Sequence, residues 1–164
     1  MSHTKDNLKT AFAGESQANR KYLAYAEKAQ KDGYPQVAKL FRAAATAETI
    51  HAHAHLRLLK GVGSTEDNLK DAISGETYEF KTMYPEMIEQ AREEKENAAA
   101  RYFGFANEAE KIHAELYTKA LENPAGLPEV DYWICSVCGH TMEGEPSEKC
   151  PICGAKPSAY FRSE

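Results

Sequence analysis

Ala47-Glu48-Thr49-Ile50-His51-Ala52 returns as Ala109-Glu110-Lys111-Ile112-His113-Ala114, an offset of 62 residues. Each copy carries Glu-x-x-His. Each is preceded by a Gly-Glu pair, Gly14-Glu15 and Gly75-Glu76, with an offset of 61 residues. Residues three apart on a helix share a face. Glu48 and His51 therefore project together, as do Glu110 and His113. Two helix pairs, each supplying one Glu and one Glu-x-x-His, make the ligand set of a binuclear metal site inside a four-helix bundle.

The apolar spacing around these motifs predicts four helices. The first runs from about Asp6 to Asp32 and is ended by Gly33. Its inward stripe is Leu8, Phe12, Glu15, Ala18 or Asn19, Tyr22, Ala26 and Ala29. The second starts at Pro35, a favoured first-turn residue, and stops near Gly61. Its stripe is Val37, Phe41, Ala44, Glu48, His51, His55 and Leu58. The third runs from about Thr65 to Glu94, with Leu69, Ala72, Glu76, Glu79, Met83 and Met87 inward. Pro85 lacks an N–H and should kink this helix just before that point. The fourth runs from about Glu96 to Leu121, with Ala99, Phe103, Ala106, Glu110, His113, Tyr117 and Ala120 inward.

Five glutamates, Glu15, Glu48, Glu76, Glu79 and Glu110, thus sit where the period calls for apolar residues. An unpaired buried carboxylate costs several kcal/mol, and clustered carboxylates cannot all ionise unaided. Bound cations remove both costs. Two divalent ions against five carboxylates and two neutral imidazoles leave one net negative charge. Oxidation of both ions with one added oxo group preserves that charge. Mixed carboxylate and imidazole donors suit iron or manganese better than calcium or structural zinc. Glu79 breaks the repeat, because its counterpart in the first copy is Ala18. The site so acquires a surplus carboxylate that lets one ion exchange partners between oxidation states.

The chain has 164 residues, 42% hydrophobic and 27% charged, enough for one good core and a small appendage. A net charge of -5 disfavours a nucleic-acid surface. Met1-Ser2-His3-Thr4-Lys5-Asp6 has no apolar leader core, and no stretch approaches the roughly 18 apolar residues of a membrane span. All four cysteines fall near the C-terminus, in two Cys-x-x-Cys pairs. That pattern points to a reducing, cytoplasmic compartment and a cysteine-bound metal rather than a disulfide framework.

Asn123-Pro124-Ala125-Gly126-Leu127-Pro128-Glu129 reads as linker, and residues 123–131 separate the helices from a module at 132–164. About 33 residues cannot bury enough apolar area to fold alone, so a metal is expected to supply the missing stability. Cys135-Ser136-Val137-Cys138 and Cys150-Pro151-Ile152-Cys153 are two knuckles of a tetrahedral four-thiolate site for zinc or a single iron. Tyr132, Trp133, Ile134, Val137 and Ile152 are placed to shield the sulfurs. A one-electron centre tethered to a dinuclear one makes sense as an electron feed, which favours iron. His140 reads as a cap on the first knuckle's turn, His55 as a core histidine, His53 as solvent-facing and His3 as part of a mobile terminus.

Taken together, these motifs resemble the rubrerythrin family over essentially the whole chain. Glu15, Glu48-x-x-His51, Glu76-x-x-Glu79 and Glu110-x-x-His113 match its diiron motif, and the cysteine pairs match its rubredoxin-like domain. The resemblance implies a mainly α fold. A ferritin-like diiron four-helix bundle would span residues 1–122 and a small rubredoxin-like metal-bound β/loop domain residues 132–164. It implies that Glu48 and Glu110 bridge the irons, and that Glu76 and His113 bind one of them. Glu15 binds the other, with Glu79 when oxidised and His51 in its place when reduced. Tyr22 and Tyr84 match tyrosines that hydrogen-bond the carboxylates. The implied cofactors are a dinuclear iron centre and a mononuclear iron held by Cys135, Cys138, Cys150 and Cys153.

The implied activity is peroxidase, reducing hydrogen peroxide to water in oxidative-stress defence. Electrons would come from a rubredoxin or an NAD(P)H-dependent reductase, with no nucleic-acid or membrane partner. A homodimer is expected, because a helix of about 27 residues is about 40 Å long. A short linker should leave the chain's own module near one end of the bundle. Head-to-tail pairing would then bring it beside the partner's diiron site. Iron storage and a zinc-ribbon binding role are the competing functions. Glu79 and the rubredoxin-like tail argue against the first.

Overall fold

The computed structural model describes residues 3–163. Residues 1, 2 and 164, which end the two sequence-defined ranges, lie outside it. The chain divides into two compact units, Met1–Gly63 and Ser64–Glu164. This division falls at the loop after the second helix.

The first unit is a helical hairpin of α1 (His3–Lys31) and α2 (Pro35–Leu58). Gly33 takes φ +83° and closes α1, with Tyr34 N–H on Ala29 O and Gly33 N–H on Gln30 O. A left-handed residue is what such a helix end requires, and glycine adopts it without a Cβ penalty. The buried residues of the hairpin are all alanines: Ala26 and Ala29 on α1, and Ala38, Ala45 and Ala52, seven apart on α2. Small side chains let the backbones approach. Val37 and Leu58, read from the sequence as inward, are 45% and 68% exposed in the chain. Asn19 ties the hairpin polar-to-polar, donating to Ala45 O at 2.7 Å and Thr49 Oγ1 at 2.8 Å. Tyr22, Tyr25 and Phe41 form an aromatic cluster farther along.

The second unit starts with α3 (Thr65–Tyr78), capped by Ser64, whose hydroxyl accepts the Asp67 N–H at 3.1 Å and donates to Asp67 Oδ2 at 2.7 Å. The helix then widens into a π turn over Glu79–Met83 and resumes as α4 (Tyr84–Glu93). Tyr84 N–H reaches back to Glu79 O, five residues away. The break expected at Pro85 is thus met by a wide turn just before it, which lets backbone bonding continue past a residue with no N–H. Both α3 and α4 pack against α5 (Asn97–Glu122), where Ala91, Ala109 and Ala114 are buried.

After a short helical turn at Pro124–Gly126 comes a three-stranded antiparallel sheet, ordered β2-β1-β3: β1 (Tyr132–Cys135), β2 (Thr141–Glu143) and β3 (Tyr160–Arg162). Its buried core is Cys135, Cys138, Cys150 and Tyr160. Trp133, Met142 and Ile152 pack around that core, together with Phe105 of α5. Val137 is not part of the shield, being 47% exposed.

The sheet lies alongside α5. His113 bonds to it, and Lys119 Nζ meets Glu143 at 2.6 Å. The chain's own module therefore sits beside the stretch of α5 that carries His113, not at a helix end. No helix among the described residues is long and apolar enough to cross a membrane.

Candidate metal centres

Among the described residues, three groups of His, Cys, Asp or Glu place their ligand atoms within 4.8 Å of one another. Each helical unit builds one carboxylate–histidine triad, and the sheet module builds the third group.

In the hairpin, Glu15 of α1 faces Glu48 and His51 of α2. His51 Nδ1 lies 3.0 Å from Glu48 Oε2 and 3.7 Å from Glu15 Oε2. The hydrogen bond between the two carboxyls raises the pKa of Glu15 and lowers that of Glu48. The His51 ring is the most open of the three, at 55% exposure, which leaves it room to move.

In the second unit, Glu76 of α3 faces Glu110 and His113 of α5. His113 Nδ1 lies 2.7 Å from Glu110 Oε2 and 3.9 Å from Glu76 Oε1. Burial, reinforced by the Glu110 charge, pushes the Glu76 carboxyl up to about 7. The hydrogen bond to Glu110 raises the pKa of His113. Glu79 opens the π turn beside this triad without joining its close group. Burial and the charge of Glu110 raise its pKa. Tyr84 stacks near Phe103, and burial, then Glu110 and Glu79, keep its hydroxyl protonated. Carboxylates crowded beside an imidazole form a donor set matched to a cation.

The other face of His113 is occupied from the sheet. Nε2 lies 3.0 Å from Thr141 Oγ1 and 3.3 Å from Gly139 O, and the Thr141 hydroxyl donates to Gly139 O at 3.1 Å. The imidazole thus has its Nδ1 on the carboxylates and its Nε2 tied to the residue after Cys138. Metal-binding histidines are characteristically oriented by an acceptor on the free ring nitrogen. Thr141 has no motif to mark it, and it lies 28 residues from His113 in the chain.

In the module, Cys138 and Cys150 Sγ atoms are 3.5 Å apart and Cys135 and Cys153 Sγ atoms 3.7 Å apart. Four free thiols so gathered fit a tetrahedral metal. Burial pushes the Cys138 thiol up. At Cys150 burial acts the same way, but backbone N–H groups of Cys153 and Ile152 and the Tyr160 hydroxyl outweigh it and bring the thiol to about 6. His140, read as a cap on the first knuckle's turn, accepts the Cys135 N–H through its carbonyl at 2.9 Å, and its side chain is buried, with Nδ1 2.6 Å from Tyr160 Oη. His53 is exposed, and His55 is half-buried with its Nδ1 unpartnered.

Helical carboxylate–histidine triads joined in one chain to a four-thiol cluster define a class of protein: a diiron-carboxylate helical protein with a mononuclear iron–thiolate module. The rubrerythrin family model matches residues 6–121, and the model for the rubrerythrin rubredoxin-like domain matches residues 133–161. Rubrerythrin-2 of Clostridium acetobutylicum is 41% identical, the alignment covering 96% of this chain and 95% of that one. Nigerythrin of Nitratidesulfovibrio vulgaris is 39% identical over 92% of this chain and 81% of its own. The solved structure of partially reduced nigerythrin aligns with a TM-score of 0.60 at 35% identity, covering 99% of this chain and 88% of that one. The chain belongs to the rubrerythrin family. It accordingly has the ferritin-like helical fold with a rubredoxin-like domain, and the cofactors are a diiron-carboxylate centre and a four-cysteine iron.

Proposed function

We propose that this chain is a non-haem diiron peroxidase that reduces hydrogen peroxide to water, fed by electrons through its four-cysteine iron. The O–O bond breaks as two electrons and two protons are taken up, giving two waters. The bound irons supply Lewis acidity and one-electron redox chemistry. The protein residues hold and orient them. Glu48 and Glu110 would be shared between the two irons, Glu76 and His113 would hold one of them, and Glu15 would hold the other. Glu79 and His51 would be alternative ligands for that second iron, Glu79 in the oxidised and His51 in the reduced protein. The openness of the His51 ring and the surplus of Glu79 over the repeat support such an exchange. Tyr22 and Tyr84 orient carboxylates.

The observation that carries the reading is the bonding of His113 Nε2 to Thr141 and to Gly139, one residue from Cys138. A ligand of the helical site and a ligand of the four-thiol site are then linked by one residue and one hydrogen bond. That contact suits electron delivery better than iron storage does.

Residues 1–122 form the catalytic part, 123–131 the linker and 132–164 the electron-delivering module. A rubredoxin or an NAD(P)H-dependent reductase supplies the electrons, in the cytoplasm, where the four thiols stay reduced. The homodimer rests on the family resemblance, since each module already lies on its own α5.

Metal analysis with visible spectroscopy tests the reading. We expect about three irons per chain, two in a carboxylate centre and one on four thiolates. The red colour should be bleached by dithionite and restored by peroxide. Zinc in the module and no response to peroxide would overturn it. Glu79→Ala should slow peroxide turnover by roughly tenfold or more while leaving the module's spectrum intact. Unchanged turnover would remove Glu79 from the ligand set.

A further inference from the structure

The sheet module returns along the helix it has just left. β2 carries Thr141 and Glu143, two apart and so on one face of the strand. Thr141 Oγ1 lies 3.0 Å from His113 Nε2, and Lys119 Nζ donates to both Glu143 oxygens, at 2.8 and 2.6 Å. β2 therefore runs in the direction of α5, with Glu143 at Lys119, one turn before the helix ends at Glu122. β1 pairs with it antiparallel, Tyr132 opposite Glu143, and runs back toward the thiol core, against which Phe105 of α5 packs. The contacts from Phe105 to Lys119 cover about 21 Å of helix.

The linker, residues 123–131, leaves α5 at Glu122 and delivers Tyr132 opposite Glu143. Both of its ends thus lie near the Lys119–Glu143 pair. That pair is partly exposed to solvent and contributes little by itself. The tether changes the balance. A flexible run as long as 123–131 has an end-to-end distance of about 15–18 Å. Short linkers of this kind set an effective concentration of the order of millimolar. A free second chain at micromolar concentration, offering the same surface, competes at a disadvantage of about a thousandfold.

We propose that Lys119 and Glu143 dock each module on its own chain, so that electrons pass to the position held by Glu76 and His113 within one chain and not from a partner. What the electron is used for rests on the peroxidase reading; where the module sits does not. One electron leaves the ferrous four-cysteine iron, which becomes ferric, and the external reductant later restores it. Lys119 and Glu143 are positioning residues, acting by holding the strand that carries Thr141. The head-to-tail pairing expected from the sequence is then not required for delivery.

Zero-length cross-linking with mixed labels tests the docking without reference to activity. Unlabelled and heavy-nitrogen chains are unfolded, mixed in equal parts and refolded together with iron. A water-soluble carbodiimide then joins a paired amine and carboxylate as an amide, with loss of water. The peptide joining Lys119 to Glu143 should carry a single label throughout, with mixed-label product below about a tenth. Mixed labels in about half of that product, the statistical share for docking across a symmetric dimer, would overturn the proposal. So would the absence of this cross-link. Stopped-flow mixing of the reduced, iron-loaded chain with peroxide tests the consequence. Return of the four-cysteine iron's red colour should slow roughly threefold or more in Lys119→Glu. The charge-swapped Lys119→Glu/Glu143→Lys chain should recover the rate. A wild-type rate in Lys119→Glu would remove the pair from the delivery path. If peroxide restores no colour even in the wild type, the peroxidase reading fails, and the label count still decides where the module docks.

Discussion

Thr141 governs His113 from a distance of 28 residues in the chain. His113 Nδ1 lies 2.7 Å from Glu110 Oε2, a hydrogen bond that raises the imidazole's pKa. A metal held at Nδ1 would take the place of that bond, with the Nε2 proton left on Thr141. The hydroxyl therefore fixes both the ring's orientation and the nitrogen offered to the metal. Thr141→Val keeps the branched shape and removes the acceptor, leaving only Gly139 O at 3.3 Å. We expect about a tenfold loss of iron affinity at the helical site, the low end for such partners because the carbonyl remains. Competition with a chelator of known affinity measures it, and a wild-type affinity would show that the carbonyl suffices. The triad glutamates were readable from the sequence because a charge at an apolar position of a helical period has few explanations. Thr141 was not, because its role depends on how a strand from another element lies on α5.

Helix ends and breaks carry their own energetics. Three helices close with a left-handed residue, but only α1 uses glycine for it: Lys60 ends α2 at φ 57° and Lys95 ends α4 at φ 63°. At the end of α2 the glycine expected to stop the helix falls one residue later. A Cβ on Gly61 would come within 2.5 Å of Leu56 Cδ1, so that side chain would have to turn aside. Lys95 has its N–H on Arg92 O and is followed by Glu96 N–H on Ala91 O, the bonding of a closed helix end. A left-handed L-residue costs roughly 1–2 kcal/mol, partly offset for glycine by the greater entropy of its unfolded chain. Lys95→Gly should therefore stabilise by roughly 0.5–1 kcal/mol, which for a chain of this size is about 1–4 °C in Tm. Lys95→Ala, which keeps the Cβ, should gain nothing. Thermal unfolding of the two variants side by side checks this, and equal Tm values would mean that φ is not the source of strain. The break at Pro85 was legible because a missing N–H is written in the residue itself. Its form, a π turn opening at Glu79, depends on packing against α5 and is not a property of that segment alone. Ala26 and Ala29 were on the stripe read for the first helix and are buried, but Ala38, Ala45 and Ala52 of α2 were not on its stripe, because periodicity weighs bulky apolar residues most whereas close helix contact selects small ones.

At the scale of the molecule, the helices and the sheet module owe their order to different forces. The helices bury alanines and bond within themselves. The module has strands of only three or four residues, and three of the four residues in its buried core are metal ligands. Its contacts to α5 through Phe105, His113 and Lys119 are too few to replace a core. Metal coordination must then serve as the module's folding energy. Stripping the thiol-bound metal with a mercurial and a chelator should unfold residues 132–164 and leave the helices formed. The single tryptophan, Trp133, lies against the thiol cluster and reports this directly. Its emission should shift to the red and its near-ultraviolet dichroism should collapse, while the far-ultraviolet helical signal persists. Zinc added back should restore both Trp133 signals without restoring colour, because a tetrahedral ion folds the module whether or not it can change oxidation state. Trp133 signals that stay native in the metal-free chain would show that α5 alone holds the sheet in place.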